Sequence, residues 1–310
     1  MRIAVWKTGH EIADAVADAV ISDNNSRQRD CTWHLVHTNN FERMPRLAVE
    51  SSDEFDIHIG YGILRGMGDI MKACERANKP FFHIDRGYLN PGHYEGYYRI
   101  SYRGTQAKWH EGIPRKPIDI KMEPWKIPNR GTVVICPPTE AVCAFFKIAP
   151  QTWLNNAIKQ ANDAFLTPAI AIHHKSDNKP FDWEDCLAVI TFNSSVGWQA
   201  LQRGIPVLSD PVHSIVGSYY AYRGCDTLQK VTDFTQKMGD SRMELFEAMA
   251  AHQFTLQEIR EGKAWPILNH YIMCGSDLIL GKPLPPRSAP IPSVAAPNPT
   301  LTSSFSNIGN

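Results

Sequence analysis

The sequence predicts an α/β protein with parallel sheets, and three observations support this class. Apolar runs that read as strands alternate with segments of helical spacing, which is the order of a parallel sheet with crossover helices. This alternation begins again after four prolines between residues 114 and 128. The 310 residues, 43% of them hydrophobic, suffice for two domains of about 100–150 residues each. We therefore predict an N-terminal half over residues 1–127 and a C-terminal half over residues 128–280.

The N-terminal half is predicted to begin as strand, loop and helix. Residues 2–6 form an apolar run that ends at Lys7-Thr8-Gly9, and the apolar residues of 11–21 recur at helical spacing. Two further strands, a helix and a last strand are predicted at residues 33–37, 55–60, about 68–78 and 80–85.

The C-terminal half repeats the same pattern. Its predicted elements are strands at residues 132–136, 169–173, 186–192 and 205–209, and helices at about 152–162 and 196–203. Residues 281–310 contain seven prolines, a composition that does not build a core. We expect this tail to be disordered.

Composition and residue spacing argue against several classes. Lys and Arg number 32 and Asp and Glu number 32, so the formal net charge is zero. Seven cysteines without a C-x-x-C pair argue against a disulfide framework and a zinc thiolate site. We find neither a run of the roughly 18–20 apolar residues that span a membrane nor a signal-peptide pattern. We expect a cytoplasmic protein that has no membrane span and needs no metal or other cofactor.

Residues 86–130 form a basic stretch. They hold nine basic residues and four acidic ones, a net charge of +5. Tyrosine and tryptophan side chains lie between the cations, a mixture that can follow a phosphate backbone and stack on bases or sugars. The alternative is a solvated linker that its aromatic residues pin to the core. On the first interpretation, the acceptor-binding residues are Tyr88, Tyr97, Tyr98, Arg99 and Arg103.

The most informative segment is residues 188–207. A predicted buried strand runs into Asn193, Ser194 and Ser195 and then directly into a helix. Hydroxyl groups and free backbone N–H groups at a helix start favour the binding of an anion. The alternative is simple capping, because Ser and Asn are preferred at the start of helices in general.

The same segment carries a resemblance to a known family. Residues 191–207 read Thr-Phe-Asn-Ser-Ser-Val-Gly-x-Gln-Ala-Leu-x-x-Gly-Ile-Pro-Val. This resembles the donor-domain signature of capsule-polysaccharide-type glycosyltransferases with the GT-B fold, x-x-N-S-x-x-x-x-E-A-L-x-x-G-x-P-V. His173-His174-Lys175 resembles the basic segment that meets the donor phosphates in that family, and residues 254–265 are similar to a closing helix of phage-encoded relatives. The resemblance covers roughly residues 130–270.

The resemblance implies two Rossmann-like domains that face a cleft, and transfer of a sugar from a nucleotide-sugar donor without a metal. Negative charge that develops on the leaving phosphate would be stabilised by amides, hydroxyls and cations. Gln199 stands where the family commonly has an acidic residue, so it offers hydrogen bonds without charge. The implied donor-binding residues are Thr139, His174, Lys175, Asn193, Ser194, Ser195 and Gln199.

The acceptor hydroxyl needs a base, and the N-terminal half offers three candidates. Asp85 lies at the carboxyl end of a predicted strand, where ligands of open α/β sheets bind. Arg86 beside it is expected to lower the pKa of Asp85 and keep it ionised. A simple turn at Asp85 and Arg86 is the alternative. His93 is the second candidate, and His10 is the third.

The sequence leaves the identity of the acceptor undecided. A glycan or a lipid-linked sugar follows from the family resemblance, whereas a hydroxymethylated pyrimidine in bacteriophage DNA follows from the phage-like motifs and the basic stretch. Two other functions are compatible with the same sequence features. One is a sugar-nucleotide epimerase of the same fold, and the other is a nucleotide-binding module without enzymatic activity.

Overall fold

The described part of the chain folds into two β-sheets with helices packed on both faces of each. A computed structural model describes residues 1–22, 31–37, 54–91, 95–126, 131–177, 181–237 and 241–279. The strands are β1 (Arg2–Lys7), β2 (Thr32–His37), β3 (Ile57–Tyr61), β4 (Phe81–Arg86), β5 (Tyr97–Tyr102), β6 (Thr132–Cys136), β7 (Ala169–Ile172), β8 (Cys186–Thr191), β9 (Val207–Ser209) and β10 (Gln253–Thr255). The helices are α1 (Glu11–Ile21), α2 (Met67–Arg76), α3 (Glu140–Phe146), α4 (Pro150–Ala164), α5 (Val196–Gln202), α6 (Ile215–Tyr222), α7 (Leu228–Lys237), α8 (Arg242–Ala251), α9 (Leu256–Arg260) and α10 (Trp265–Ile279). The predicted α/β class with parallel sheets is confirmed.

The first sheet has six strands in the order β10-β5-β4-β3-β1-β2. Strands β1, β2, β3 and β4 pair in parallel, while β5 is antiparallel to both β4 and β10. Helix α1 packs on one face with Val16 and Val20 against the apolar strand residues, and α2 packs on the other face. The four parallel strands were predicted from their apolar runs.

The second sheet has four strands in the order β7-β6-β8-β9, and all of its pairs are parallel. Strand β8 is buried along its whole length because α4 covers one face of the sheet and α5 and α6 cover the other. Each predicted element of this half is present within two residues of its predicted ends. The sequence did not predict α3, α6, α7 or α8.

The chain returns to the first sheet near its carboxyl end. Strand β10 pairs with β5, so that Phe254 lies opposite Tyr98, and Leu268 of α10 joins the same buried cluster as Ile3 of β1. The division at residue 127 stays a prediction, but residues 253–271 pack on the first sheet and not on the second. The predicted tail at 281–310 lies outside the described residues.

A strand precedes the helix expected over residues 254–265. Helix α9 begins only after Thr255, whose hydroxyl accepts a hydrogen bond from the Glu258 N–H at 3.1 Å. The Glu258 carboxylate accepts in turn from the Thr255 N–H at 2.8 Å, a reciprocal cap that fixes the helix start. Among the described helices, none is both long and apolar enough to cross a bilayer.

Candidate functional site

The carboxyl ends of β6, β7 and β8 place most of the predicted donor-binding residues at one edge of the second sheet. Parallel strands end on the same side, so the loops that follow them meet there. Thr139 follows β6, His174 and Lys175 follow β7, and residues 193–195 follow β8. The side chains of the first three are exposed and those of residues 193–195 are half-buried. We call this the donor edge.

The two serines of the donor edge have different surroundings. The Ser194 N–H donates to the Thr191 hydroxyl at 3.3 Å, and the Ser194 hydroxyl accepts from the Val196 N–H at 3.4 Å. The hydroxyl and the N–H of Ser195 make no hydrogen bond within the described residues. Simple capping therefore accounts for Ser194 and leaves the two polar groups of Ser195 available. Helix α5 has only seven residues, so its dipole adds little to this loop.

Gln199 and an aromatic row lie along α5, beyond the donor edge. Gln199 lies one helical turn after Ser195, and its half-buried side chain makes no hydrogen bond to a described residue. One turn further, the Arg203 guanidinium lies 4.5 Å from the centre of the Trp183 ring. The Trp183 ring stacks on Phe181 at 4.1 Å. This row was not predicted from the sequence, although the two aromatic residues two positions apart were a visible signal of it.

Two other donor candidates have local roles in the backbone. The Thr139 hydroxyl accepts from the Val142 N–H at 3.5 Å and caps α3. The His174 N–H donates to the Asp177 carboxylate at 3.0 Å, which holds a short turn at Lys175–Asp177. The side chains of His174 and Lys175 form no ion pair within the described residues. Their donor-binding roles stay predictions.

Asp85 lies at the carboxyl end of β4 and is held on both of its oxygens. Arg99, directly opposite in β5, donates to one oxygen at 2.6 Å, and the Arg86 N–H donates to the other at 2.8 Å. Burial raises the pKa of Asp85, but the Arg99 charge, with smaller contributions from His83 and Arg86, holds it below its ordinary value. Arg99 and not Arg86 is thus the main ionic partner. A carboxylate held in this way is a weak proton acceptor.

Most predicted acceptor-binding residues are used inside the fold. Tyr88 and Tyr98 are 1% and 0% exposed, so their rings have no face for a base or a sugar. Their burial contradicts the prediction that these two tyrosines bind the acceptor. The Tyr88 hydroxyl accepts from the Ala107 N–H at 2.9 Å. Arg103 donates to the Asn78 carbonyl at 3.0 Å, just beyond α2.

Other residues of the predicted acceptor side differ in their placement. Tyr97 is half-buried and its backbone pairs with Thr255, while the side chain of Arg86 is exposed. His10 lies after β1, at the same edge of the first sheet as Asp85. His93 lies outside the described residues.

Gln106 joins the loop after β5 to the donor edge. Its amide nitrogen donates to the Asn193 carbonyl at 2.7 Å, and its amide oxygen accepts from the Ile215 N–H at 3.1 Å. A second contact brings α3 to α2, where the Phe145 ring lies 4.8 Å from the Lys72 amine. The segments that follow the strands of the first sheet therefore contact those that follow the strands of the second sheet.

His213 also lies at the donor edge, and it was not predicted from the sequence. Its ring centre is 4.2 Å from that of Phe146 and 5.5 Å from that of Phe192. Burial and the Lys108 charge lower the pKa of His213, while Asp210 opposes them. No local pattern marked this residue, because Phe146, Phe192 and Lys108 come from three segments distant from its own loop.

A cavity of about 160 Å³ lies on the α4 side of the second sheet, lined in part by Trp153, Asn156 and Gln160. This is the face away from α5, so the cavity does not include Ser195 or Gln199. Within the described ranges, no three His, Cys, Asp or Glu side chains gather in a way that could hold a metal ion.

No protein-family model and no curated protein sequence matches the chain. Among solved structures, it is similar to Thermosulfurimonas dismutans KpsC, a beta Kdo 2,4 transferase, with 11% identity over 80% of this chain and 90% of that chain and a TM-score of 0.41. It is similar to S. aureus MnaA in a co-structure with UDP, with 12% identity over 91% of this chain and 98% of that chain and a TM-score of 0.29. It is also similar to a ligand-free substrate binding protein from Clostridium difficile, with 10% identity over 80% of this chain and 94% of that chain and a TM-score of 0.29. Likeness at these TM-scores assigns no activity to this chain.

Proposed function

We propose that this protein is a glycosyltransferase that moves a sugar from a nucleotide-sugar donor to an acceptor hydroxyl. The observation that carries the proposal is the composition of the donor edge. The unpaired hydroxyl and N–H of Ser195 share this edge with His174 and Lys175, whose side chains have no ionic partner in the described chain. Hydrogen-bond donors and a cation are the groups that a leaving phosphate requires.

The donor would bind with its phosphates at Ser195 and Lys175 and its nucleoside toward Gln199 and the aromatic row. A nucleobase can stack on the Phe181 ring, because the Trp183 ring is already covered by Phe181 and Arg203, and Gln199 can hydrogen-bond a sugar hydroxyl without adding charge. The cations of the donor edge would neutralise the charge on the leaving group, so the proposed transfer is independent of metal.

For the acceptor, we favour a glycan hydroxyl over a hydroxymethylated pyrimidine in DNA. Among the described residues of the basic stretch, Tyr88, Tyr98 and Trp109 are buried and Arg99 binds Asp85. Exposed cations such as Lys108 and Lys121 remain, but few aromatic rings are left to stack on bases. Binding to hydroxymethylated duplex DNA at two salt concentrations tests this, because affinity through phosphates falls with a log–log slope of about −0.9 per contact. A steep slope would restore DNA as the acceptor.

A two-stage experiment tests the function itself. The first stage measures the melting temperature with CMP-, UDP-, GDP- and TDP-sugars, because a ligand at a hundredfold excess over its Kd stabilises by about 2.7 kcal/mol. The second stage incubates the best donor with and without a panel of methyl glycosides and separates the products. Acceptor-dependent release of nucleotide supports a transferase. A rearranged donor without acceptor would indicate an epimerase, and binding without reaction would indicate a nucleotide-binding module.

A further inference from the structure

His213 lies where the loop after β9 meets residues 193–195, which we call the donor loop. It precedes the N-cap of α6, Ser214, by one residue. The Asp210 carboxylate fixes the loop backbone, because one of its oxygens accepts from the N–H groups of Val212 and His213 at 2.9 and 2.8 Å. The backbone from which the imidazole projects is therefore held within its own loop.

The ring of His213 is enclosed on its apolar sides. Phe146 comes from α3, and Phe192 immediately precedes Asn193 of the donor loop. The half-buried imidazole makes no side-chain hydrogen bond within the described residues, and its nitrogens are not among the buried polar atoms. An imidazole that is shielded on its faces and open at its nitrogens can exchange a proton with a bound molecule.

The charged groups that act on His213 come from both sides of the junction. Asp210 lies on its own loop, and Lys108 comes from the segment that follows β5. Burial and Lys108 lower the pKa of His213, and Asp210 raises it by less. The imidazole is consequently neutral near pH 7 and keeps a lone pair.

We propose that His213 is the base that deprotonates the acceptor hydroxyl. This rests on the proposed transferase function. The acceptor oxygen forms a bond to the anomeric carbon as its proton passes to the His213 imidazole. The bond from that carbon to the phosphate oxygen breaks, and the nucleotide leaves with the bonding electrons. The imidazolium then returns its proton to water.

Asp85 is the less suitable base on geometry. Both of its oxygens already accept hydrogen bonds, from Arg99 and from the Arg86 N–H, whereas His213 has no such partner in the described chain. His213 also borders the donor loop directly through Phe192, which places it beside the predicted phosphate site.

The test compares His213→Asn and His213→Gln with wild type, using the best nucleotide sugar and methyl glycoside from the screen above. We expect kcat to fall by about 10²–10⁴-fold while the donor Kd changes by less than about twofold. The rise of kcat/KM with pH on the acid side should disappear. Imidazole added to His213→Ala should restore part of the rate. His37→Asn, a change of an exposed histidine on β2, is the matched control.

The outcomes separate the two proposals. Wild type that binds and transfers from none of the nucleotide sugars overturns the transferase function and this role with it. Wild type that transfers while His213→Asn retains its kcat and pH profile overturns only the role of His213. Equal losses in kcat and donor affinity, or no response to imidazole, would also overturn it and assign His213 to the structure of the loop.

Discussion

Gln106 and Asn193 connect the two halves of the chain through a single buried amide. Gln106 is 3% exposed, and its amide nitrogen donates to the Asn193 carbonyl at 2.7 Å. Because the oxygen of the same amide accepts from the Ile215 N–H, one side chain holds both the donor loop and the start of α6. The position of the donor loop thus depends on a residue 87 positions earlier in the chain.

Gln106→Met keeps the approximate volume of the side chain and removes both hydrogen bonds. A buried polar group left unpaired costs about 1–3 kcal/mol, so the melting temperature should fall and nucleotide-sugar affinity should weaken. Thermal denaturation with and without the donor measures both effects. Gln202→Met is the control, because the side chain of the half-buried Gln202 makes a single, solvent-exposed bond to the Lys121 carbonyl. A Gln106→Met protein with normal donor affinity would show that the loop is held by other contacts.

Ser194→Ala should lower the stability of the protein, whereas Ser195→Ala should weaken donor binding. Loss of the Ser194 hydroxyl removes a bond to the Val196 N–H and should lower stability by about 0.5–1 kcal/mol. Loss of the Ser195 hydroxyl removes no internal bond and should weaken donor binding without a change in melting temperature. Isothermal titration with the donor, beside thermal denaturation, distinguishes the two. If both variants bind the donor as wild type does, the phosphates do not bind at these serines.

His174→Ala and Lys175→Ala should lower kcat more than donor affinity. Their groups are proposed to act on the charge that grows on the leaving phosphate, which is largest in the transition state. Steady-state kinetics together with a direct donor Kd measures this difference. Lys230→Ala is a matched control, since Lys230 is an exposed lysine paired with Asp226 four residues away. Equal losses in kcat and affinity would assign both residues to ground-state binding.

Asp85→Asn should act mainly on stability. Arg99 is only 11% exposed and would lose its carboxylate partner, so the free energy of unfolding should fall by about 1–3 kcal/mol. Chemical denaturation measures this, and kcat of the folded variant should stay within about tenfold of wild type. Asp163→Asn, which breaks the exposed pair with Lys159, should cost less than about 1 kcal/mol. Unchanged stability with a collapsed kcat would instead identify Asp85 as the base.

Acid should destabilise the protein through its buried histidines. His252 is fully buried, with its ring nitrogens 2.7 Å from the Ala248 carbonyl and the Tyr271 hydroxyl, and burial lowers its pKa to about 4 from 6.5. Between these values the unfolded chain binds more protons than the folded one, so the free energy of unfolding decreases as the pH falls from 6.5 toward 4. His58 and His83 act in the same direction.

His252→Gln isolates one part of this dependence. The amide can still bond the Ala248 carbonyl and the Tyr271 hydroxyl but does not titrate, so the slope of melting temperature against pH between 4 and 6.5 should decrease. Scanning calorimetry across this range provides the measurement. His37→Gln, at an exposed position, should leave the slope unchanged. An unaltered slope in His252→Gln would mean that this residue is not neutral in the folded state.

The sequence by itself determined the class of the fold and the position of the donor loop. Apolar periodicity is local, so it located the parallel strands of both sheets and the helices α1, α2, α4 and α5. The run from β8 through Ser195 into α5 was visible for the same reason, because strand, polar loop and helix are contiguous in the chain.

Only the tertiary structure decided which residues meet. Strand β10 has three residues and no readable periodicity, so its pairing with β5 comes from long-range contacts alone. The same holds for Arg99, which reaches Asp85 because β5 runs antiparallel to β4. Burial of Tyr88 and Tyr98 and the enclosure of His213 likewise depend on neighbours from distant segments. Local propensity identifies the elements of a fold, whereas the surroundings of a side chain are set by packing between elements.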